Sequence, residues 1–429
     1  MENEDEWLQE FRRRSYRIFK EEIIENSELF KKYNLLDIDF DKVEVRNRRR
    51  EIDIDLNRDL NYFILNGGLE SGVKNDSSKA GLIIQDITVA LKKYETLIRP
   101  YFNVDYEKLP SFVNSFFDTG VFIYIPKNLE LSLPIIGFSI LDGTTVAKNF
   151  IYVESNSRVN IMINRFGGYE DSLDAEGWTI VLGRNSTATI YDLQTYDSGR
   201  FIQIQDIICE DDATFRLNKV FLGSSITKTR TNIYLKGVGS LAENIEVSYG
   251  ERDQKFDLTT NLIHLGRDTV AKSLNRNALR ESSRSLFKGI IRILSNSKNS
   301  NSYLASHSLL LDKEASADAI PSLEIETNDV KATHSSSSSS IDREQLFYLM
   351  SRGLEMSSAV KLIALGFLSH AINNFTSKFV KDLALKYVDN KWEHKRFSIK
   401  DIEFESFESR FEEERTSVKD IFEMHYKYR

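Results

Sequence analysis

The 429-residue sequence is poor in the residues that carry the most familiar protein chemistries. It contains a single cysteine, Cys209, which excludes an intramolecular disulfide and favours a reducing compartment. Its longest apolar stretch, residues 359–372, includes Lys361, Ser369 and His370 and is too short and too polar to span a bilayer. Because the first five residues are acidic and do not resemble a targeting signal, we expect a cytoplasmic protein without membrane contact.

The charge balance and the short motifs exclude several further classes of protein. A net charge of −8 does not indicate a nucleic-acid partner, and the basic cluster at residues 46–50 is followed by acidic residues that favour a solvated, locally paired surface. Residues 67–74 (GGLESGVK) lack the Gly-Lys-Ser/Thr ending of a phosphate-binding loop, so we expect no bound nucleotide. Neither a zinc spacing nor a GxSxG hydrolase elbow occurs. We therefore expect a protein that is not an enzyme.

A repeat organises the chain between Pro110 and about Leu323. Short clusters of small or polar residues recur about every 28 residues between β-prone runs, at 153–159, 182–188, 209–215, 235–241 and 265–271. Such a repeat is typical of a β-helix, in which each coil stacks on the one before it. Regular turns in a β-sandwich would give the same pattern.

The N-terminal region, residues 1–110, is predicted to be mainly helical. Trp7, Leu8 and Phe11 begin an apolar helix face, and Arg12 is assigned to the polar faces. After a short strand at residues 51–56 and a turn at residues 67–68, a second helix is predicted from residue 84 to about residue 98.

The C-terminal region, residues 336–429, is also predicted to be helical. One helix is expected to begin at a capping pair, Asp342 and Gln345, and to end at Gly353. A second begins near Ser357, a good N-cap, and carries an apolar stripe that includes Phe367. Further helices are predicted at residues 377–387 and 409–428.

One stretch, residues 309–353, carries a family resemblance. It contains P-S-L-E-I at 321–325, D-V-K at 329–331, His334, and I-D-R-E-Q-L-F-Y-L-M-S-R-G at 341–353. This series resembles the shared C-terminal signature of SufB and SufD, the scaffold proteins of iron–sulfur cluster assembly. Residues 5–12 (DEWLQEFR), 117–127, 284–293 and 359–367 resemble other elements of the same family.

The resemblance implies a fold and a set of partners. The fold is a right-handed parallel β-helix core at residues 111–335, flanked by the N-terminal and C-terminal helical regions. The chain would pair with a SufB-type subunit or a second copy of itself, and would bind the ABC ATPase SufC through its C-terminal helices. The expected SufC contacts are Gln345, Leu346, Tyr348, Leu349, Arg352, Gly353 and Phe367.

The resemblance also implies that His334 lies at a subunit interface and helps to hold a transient iron–sulfur cluster. His307 is a second candidate ligand, and Lys331 a possible electrostatic neighbour for sulfide. Cys209 and His264 have ligand chemistry too, although a buried thiol and a hydrogen-bonded structural imidazole are the simpler interpretations.

The chain departs from SufB at two positions. SufB has a cysteine 28 residues before the histidine and a glutamate after it, whereas this chain has Ser306 and Ser335. A hydroxyl is a poor iron ligand, so a SufD-like subunit is favoured over a SufB that has lost its cysteine. The run of six serines from Ser335 is interpreted as a substituted turn, and a flexible loop is the alternative.

Two other functions remain open at this point. The chain could be a self-sufficient homodimeric scaffold, whose reconstituted iron and sulfide would be lost in His334→Ala. It could also be an unrelated β-helix with lyase chemistry from surface carboxylates such as Asp206 and Asp257.

Overall fold

The computed structural model describes residues 4–22, 38, 40, 60–104, 107–397 and 402. Within these ranges the chain is mainly β, with helices before and after a parallel β-helix, as the sequence predicts. The predicted basic cluster at residues 46–50, the strand at 51–56 and the helix at 409–428 lie outside the described residues.

The described strands form two sheets. Sheet I contains β1 (Tyr62–Leu65), β2 (Leu69–Gly72), β5 (Ile135–Leu141), β7 (Arg158–Gly167), β9 (Thr187–Gln194), β11 (Thr214–Phe221), β13 (Leu241–Gly250), β15 (Val270–Leu279), β17 (Ser300–Leu310) and β19 (Val330–Ser340). Sheet II contains β3 (Ile83–Asp86), β4 (Val121–Ile125), β6 (Thr144–Val153), β8 (Leu173–Leu182), β10 (Arg200–Cys209), β12 (Ile226–Leu235), β14 (Lys255–His264), β16 (Arg284–Ile293) and β18 (Ser316–Ile325).

The described helices flank these strands in the chain. They are α1 (Glu6–Glu21), α2 (Asn75–Lys79), α3 (Ile87–Lys93), α4 (Glu95–Ile98), α5 (Lys108–Phe116), α6 (Arg343–Ser351), α7 (Met356–Ile372) and α8 (Lys378–Trp392), with a 3₁₀ turn at Arg99–Tyr101. In the described ranges, none of these helices combines the length and the apolar character that crossing a membrane requires.

Each coil of the β-helix contributes one strand to each sheet, and successive coils pair in parallel. Cys209, Leu235 and His264 therefore occupy one row across β10, β12 and β14. Because side chains alternate between the two faces of a strand, every second residue points into the coil. These inward rows form one continuous core along the β-helix, closely packed with isoleucine, leucine, valine and phenylalanine.

The five repeated segments all lie at the same corner of the coil, between a strand of sheet II and the following strand of sheet I. Several coils place a residue with positive φ there, chiefly asparagine and aspartate, which tolerate the left-handed conformation. Asn156 donates to Asn128 at 3.1 Å, and Asn185 donates to Asn156 at 2.9 Å. The predicted repeat is thus a ladder of turns, and the β-helix interpretation is confirmed over the sandwich.

The N-terminal helices pack on the outer face of sheet II. Two details of the prediction are wrong. Ile84 belongs to strand β3, and the helix begins at Ile87, where the Asp86 carboxylate accepts a hydrogen bond from the backbone N–H of Thr88. Arg12 is buried and not on a polar face, because its guanidinium lies 3.9 Å from the centre of the Phe117 ring and pairs with Glu4.

The C-terminal helices α7 and α8 pack on the outer face of sheet I. Helix α8 begins after Ser377, whose hydroxyl accepts a bond from the backbone N–H of Val380, as expected for a cap. Helix α7 begins one residue earlier than predicted, and its N-cap is Glu355 and not Ser357. Its buried face consists of Ala359, Ala364, Leu368, Ala371 and Ile372, so the predicted stripe through Phe367 is displaced.

Candidate functional site

The β-helix ends at β18 and β19, each of which is the last strand of its sheet among the described residues. Leu323 stacks on Ile291 and Ile325 on Ile293, so both occupy inward rows that are fully buried one coil earlier. Here they are 37% and 42% exposed, since no described coil follows. We call this surface the open end, formed by the inward-facing residues of the last coil: Leu323, Ile325, Val330, Ala332 and His334.

His334 lies at the open end, midway along β19. It is directly opposite Leu304 on β17, a fully buried core residue, so its imidazole lies on the inward side of the sheet. The histidine is exposed, whereas the row beneath it (Leu304, Ser273 and Asn244) is buried. A side chain here is reached from solution or from a partner seated on the open end.

His307 and Lys331 lie on the other side of the same sheet. His307 is opposite Ser337, whose Oγ lies 2.7 Å from its Nδ1, and Ser337 is three residues from His334. An odd offset places two side chains on opposite faces, about 10 Å apart along the strand. Lys331 is also three residues from His334 and is equally on the outer face. The structure therefore does not bring these three residues together as one ligand set.

Cys209 and His264 are interior residues of the β-helix. Burial, with a smaller contribution from Glu210, raises the pKa of the Cys209 thiol to about 12, so it is a protonated core side chain at neutral pH. Burial lowers the pKa of His264 to about 4, and its Nδ1 lies 2.7 Å from Thr269 Oγ1. Neither residue is exposed at the open end. They occupy the places of the simpler interpretations.

The serine run is a strand and not a turn or a loop. Residues 335–340 pair in register with residues 305–310 of β17 and complete β19. Ser306, which the sequence count places 28 residues before His334, lies opposite Ser336, because the local coil spacing is 30 residues. Ser306 is buried and donates to Asn275 at 3.2 Å.

The region predicted to contact the ATPase is largely exposed. Helix α6 has no buried residue; Asp342 accepts from the backbone N–H of Glu344 at its start, and Gly353 follows with φ of +92°. Gln345, Arg352 and Gly353 are exposed, Tyr348 is 54% exposed, and Leu346 and Leu349 are half-buried. Phe367 differs, because the Arg276 guanidinium lies 4.7 Å from its ring and donates to its carbonyl.

The sequence analysis missed the most exposed apolar residues of this region. Phe347 is 73% exposed, and an apolar patch continues along α6 and the start of α7. We call it the α6 patch, formed by Phe347, Tyr348, Met350, Leu354, Met356 and Leu362. The signal was present, since these residues follow the capping pair, but the residues assigned to the apolar stripe were the half-buried ones.

A buried charge cluster inside the β-helix was also missed. Arg165 is fully buried; its Nε lies 2.7 Å from Asp192 and its Nη1 lies 2.6 Å from Glu176. Burial lowers its pKa, but the charges of Asp192 and Glu176 more than compensate and keep the guanidinium charged. Lys219 and Glu246 pair in the next coils at 3.2 Å. All of these groups have charged partners inside the protein, so their first role is structural.

The carboxylates considered for lyase chemistry are occupied. Asp257 is buried between Lys228 at 3.0 Å and Lys288 at 2.9 Å, which lower its pKa against the effect of burial. It is therefore not a surface residue as expected. Asp206 is half-buried and accepts from Asn232 at 2.8 Å. Among the described residues, no group of three histidine, cysteine or acidic side chains is placed to hold a metal ion.

Two parallel sheets wound into one β-helix, with helices on both outer faces and one open end, define a β-helix protein suited to association rather than to a closed active site. The family model for the SUF system FeS cluster assembly, SufBD core domain, matches residues 139–367, more than half of the chain. The chain belongs to this SufB/SufD family.

Individual relatives agree with this membership. SufD of Bacillus subtilis (strain 168) is 27% identical over 325 residues, which cover 72% of this chain and 74% of the relative. SufB of the same organism is 22% identical over 328 residues, covering 73% and 68%. A SufBD family protein of Staphylococcus saprophyticus is 22% identical over 317 residues, covering 72% and 66%. The resemblance described from the sequence is confirmed.

Proposed function

We propose that this chain is a non-enzymatic scaffold subunit of a Suf assembly complex, which pairs through its open end with a SufB-type subunit. The observation that carries the proposal is the exposure of inward rows at the open end. Burying them against a partner removes apolar surface from water at about 25 cal/mol per Å². The unpaired edges of β18 and β19 offer main-chain hydrogen bonds to the same partner.

The iron–sulfur cluster is cargo in this proposal. The open end supplies one imidazole, His334, with serine hydroxyls beside it and no thiolate. Since clusters are held mostly by thiolates, the remaining ligands must come from the partner. A SufB-type subunit fits this requirement better than a second copy, which would add only another imidazole.

The ATPase partner is proposed to bind the α6 patch. A contiguous exposed apolar surface on a helical elbow is typical of a protein interface, and the patch includes four of the expected contacts or their direct neighbours. ATP binding would close the SufC-type partner, and the motion would reach the scaffold interface through α6 and α7. This chain itself would bind no nucleotide.

Light scattering with two single substitutions tests both interfaces at once. Ile325→Asp places a charge on the open end and is expected to abolish pairing with the SufB-type subunit while leaving ATPase binding unchanged. Phe347→Asp is expected to do the reverse. Val238→Asp is the matched control, since Val238 is an apolar residue of 44% exposure at a coil corner, away from both surfaces.

The outcomes separate the candidate functions. If the chain alone has twice the monomer mass and Ile325→Asp makes it monomeric, the homodimeric scaffold is the correct alternative. Anaerobic reconstitution of the single chain, with and without His334→Ala, then measures whether it holds iron and sulfide. If neither partner associates at micromolar concentration, the proposed assembly role is wrong.

A further inference from the structure

Strand β19 consists of two halves with different support. In the first half, Val330 and Ala332 pack against the β-helix core. In the second half, residues 335–340, every side chain is serine and most are exposed. His334 lies at the boundary. We call residues 335–340 the serine half.

The serine half has few interactions to hold it in the sheet. It pairs with β17 on one side, and no described strand pairs with it on the other. Two side-chain hydrogen bonds supplement the main-chain ladder: Ser335 Oγ lies 2.9 Å from the Tyr303 hydroxyl, and Ser337 Oγ lies 2.7 Å from His307 Nδ1. The half buries no apolar side chain and has none of the β-branched or aromatic residues that favour strands.

The other edge strand at the same end is better anchored. Strand β18 carries Ala317 against the core and contributes Leu323 and Ile325 to inward rows. Segments that open first in folded proteins are those with few buried apolar contacts and exposed backbone hydrogen bonds. By these criteria the serine half opens before β18, although both are edges of one coil.

The serine half is also connected directly to the α6 patch. Only Ile341 and Asp342 separate Ser340 from the first residue of α6, and α6 itself buries no residue. A displacement of α6 is therefore transmitted along the chain to residues 335–340 before it reaches any packed element.

We propose that the serine half of β19 is a detachable strap. It separates from β17 when α6 moves, whereas Val330 to Thr333 stay in the sheet, so the motion ends at His334 and changes the position of its imidazole. The strap itself needs no partner. Its use as the link between ATPase docking and the cluster-bearing end rests on the function proposed above.

Hydrogen–deuterium exchange of the full chain alone tests the strap. After correction for intrinsic rates, amides at residues 335–340 are expected to exchange at least about tenfold faster than those at residues 322–325 of β18 and 330–333 of β19. Protection of the serine half equal to that of either segment would overturn the proposal.

A disulfide lock provides the matched comparison. Ser308 and Ser338 are directly opposite on β17 and β19, and neighbouring strands are about 4.8 Å apart, within the Cα range that disulfides span. Oxidised Ser308→Cys/Ser338→Cys should slow exchange at residues 335–340 at least about tenfold relative to its reduced form. The same lock in the anchored half, Ser302→Cys/Ala332→Cys, should leave that exchange unchanged. Cys209 does not interfere, because its thiol is buried.

A third arm separates this proposal from the proposed function. With the SufC-type ATPase and ATP, exchange of the serine half should rise further in the unlocked chain and not in the locked one. If the ATPase binds and ATP leaves the exchange unchanged, the strap is not the link and the proposal fails. If the ATPase does not bind at all, the proposed function fails, while the measurements on the chain alone still decide whether the strap exists.

Discussion

The two ends of the β-helix are built in different ways. At the N-terminal end the last strands, β2 and β3, are antiparallel to their neighbours, and the core beneath them is closed: Phe63, Leu65 and Leu82 are at most 3% exposed. At the C-terminal end the last strands run parallel to their neighbours, and the inward positions Leu323 and Ile325 are more than one-third exposed.

This difference shows where the molecule can associate. Reversal of strand direction ends the coil pattern, so another parallel coil cannot continue from β2 or β3, and antiparallel pairing with short strands limits the exposed edge. The open end continues the parallel pattern with its rows uncovered. A partner adds to this end and not to the other, and the candidate ligand His334 is found at the same end.

The largest expected effect is in the interior of the closed coils. Asp192→Ala removes a carboxylate 2.7 Å from the fully buried Arg165 and leaves that charge undercompensated, which should lower the free energy of unfolding by about 3–5 kcal/mol in urea titrations. The exposed pair Arg292–Glu324 near the open end is the control, and Glu324→Ala should cost under about 1 kcal/mol. Equal losses in the two variants would contradict the distinction between the ends.

The second effect concerns the packing of the closed end. The ring of Phe63 lies over Gly137, where a Cβ atom would be 2.2 Å from its Cζ, so ring and glycine fit each other closely. Phe63→Ala should leave a cavity and lower the free energy of unfolding by about 3–4 kcal/mol. Denaturant unfolding measures the loss, and a cost below about 1 kcal/mol would mean that this end is not closed.

The third effect is a pH dependence that originates in His264. Its pKa is about 4 in the folded state, against an ordinary value of 6.5, because burial disfavours the imidazolium. Below pH 6.5 the unfolded chain binds a proton that the folded chain does not, so stability is fully present above pH 6.5 and is lost towards pH 4. The loss between pH 7 and pH 5 should be about 2 kcal/mol.

The substitution His264→Leu identifies that contribution. Leucine and isoleucine already occupy the same row at Leu235 and Ile293, so the change is sterically compatible. The variant should lose about 2 kcal/mol less than the unaltered chain when urea unfolding is compared at pH 7 and pH 5. An identical pH dependence in both proteins would show that other groups cause it.

Much of the fold was predictable because it is written in local repeats. The turn clusters mark one corner of every coil, and the caps at Asp342 and Ser377 mark helix starts through hydrogen bonds within a few residues. The burial of Arg12 was not predictable, since its aliphatic stem and its guanidinium suit either a surface or an aromatic neighbour, and Phe117 is distant in sequence.

The site was less predictable because it depends on register between coils. The repeat suggests a spacing near 28 residues, but His334 stacks on Leu304, 30 residues earlier, and a shift by an odd number reverses the face of a side chain. That is why His307 and Lys331 looked like neighbours of His334 and lie on the opposite face. Serine has no local preference that would identify residues 335–340 as a strand, and stacking on β17 supplies it.

The smallest expected effect gives the sharpest comparison of a buried row with an open one. Ile293 and Ile325 are stacked in the same row, one coil apart, with exposures of 0% and 42%. Ile293→Ala should lower the free energy of unfolding by about 2–5 kcal/mol, whereas Ile325→Ala should cost under about 1 kcal/mol in the isolated chain. If a partner covers the open end, the cost of Ile325→Ala measured as loss of binding should rise towards the buried value. A cost for Ile325→Ala as large as that for Ile293→Ala in the isolated chain would mean that the open end is already covered.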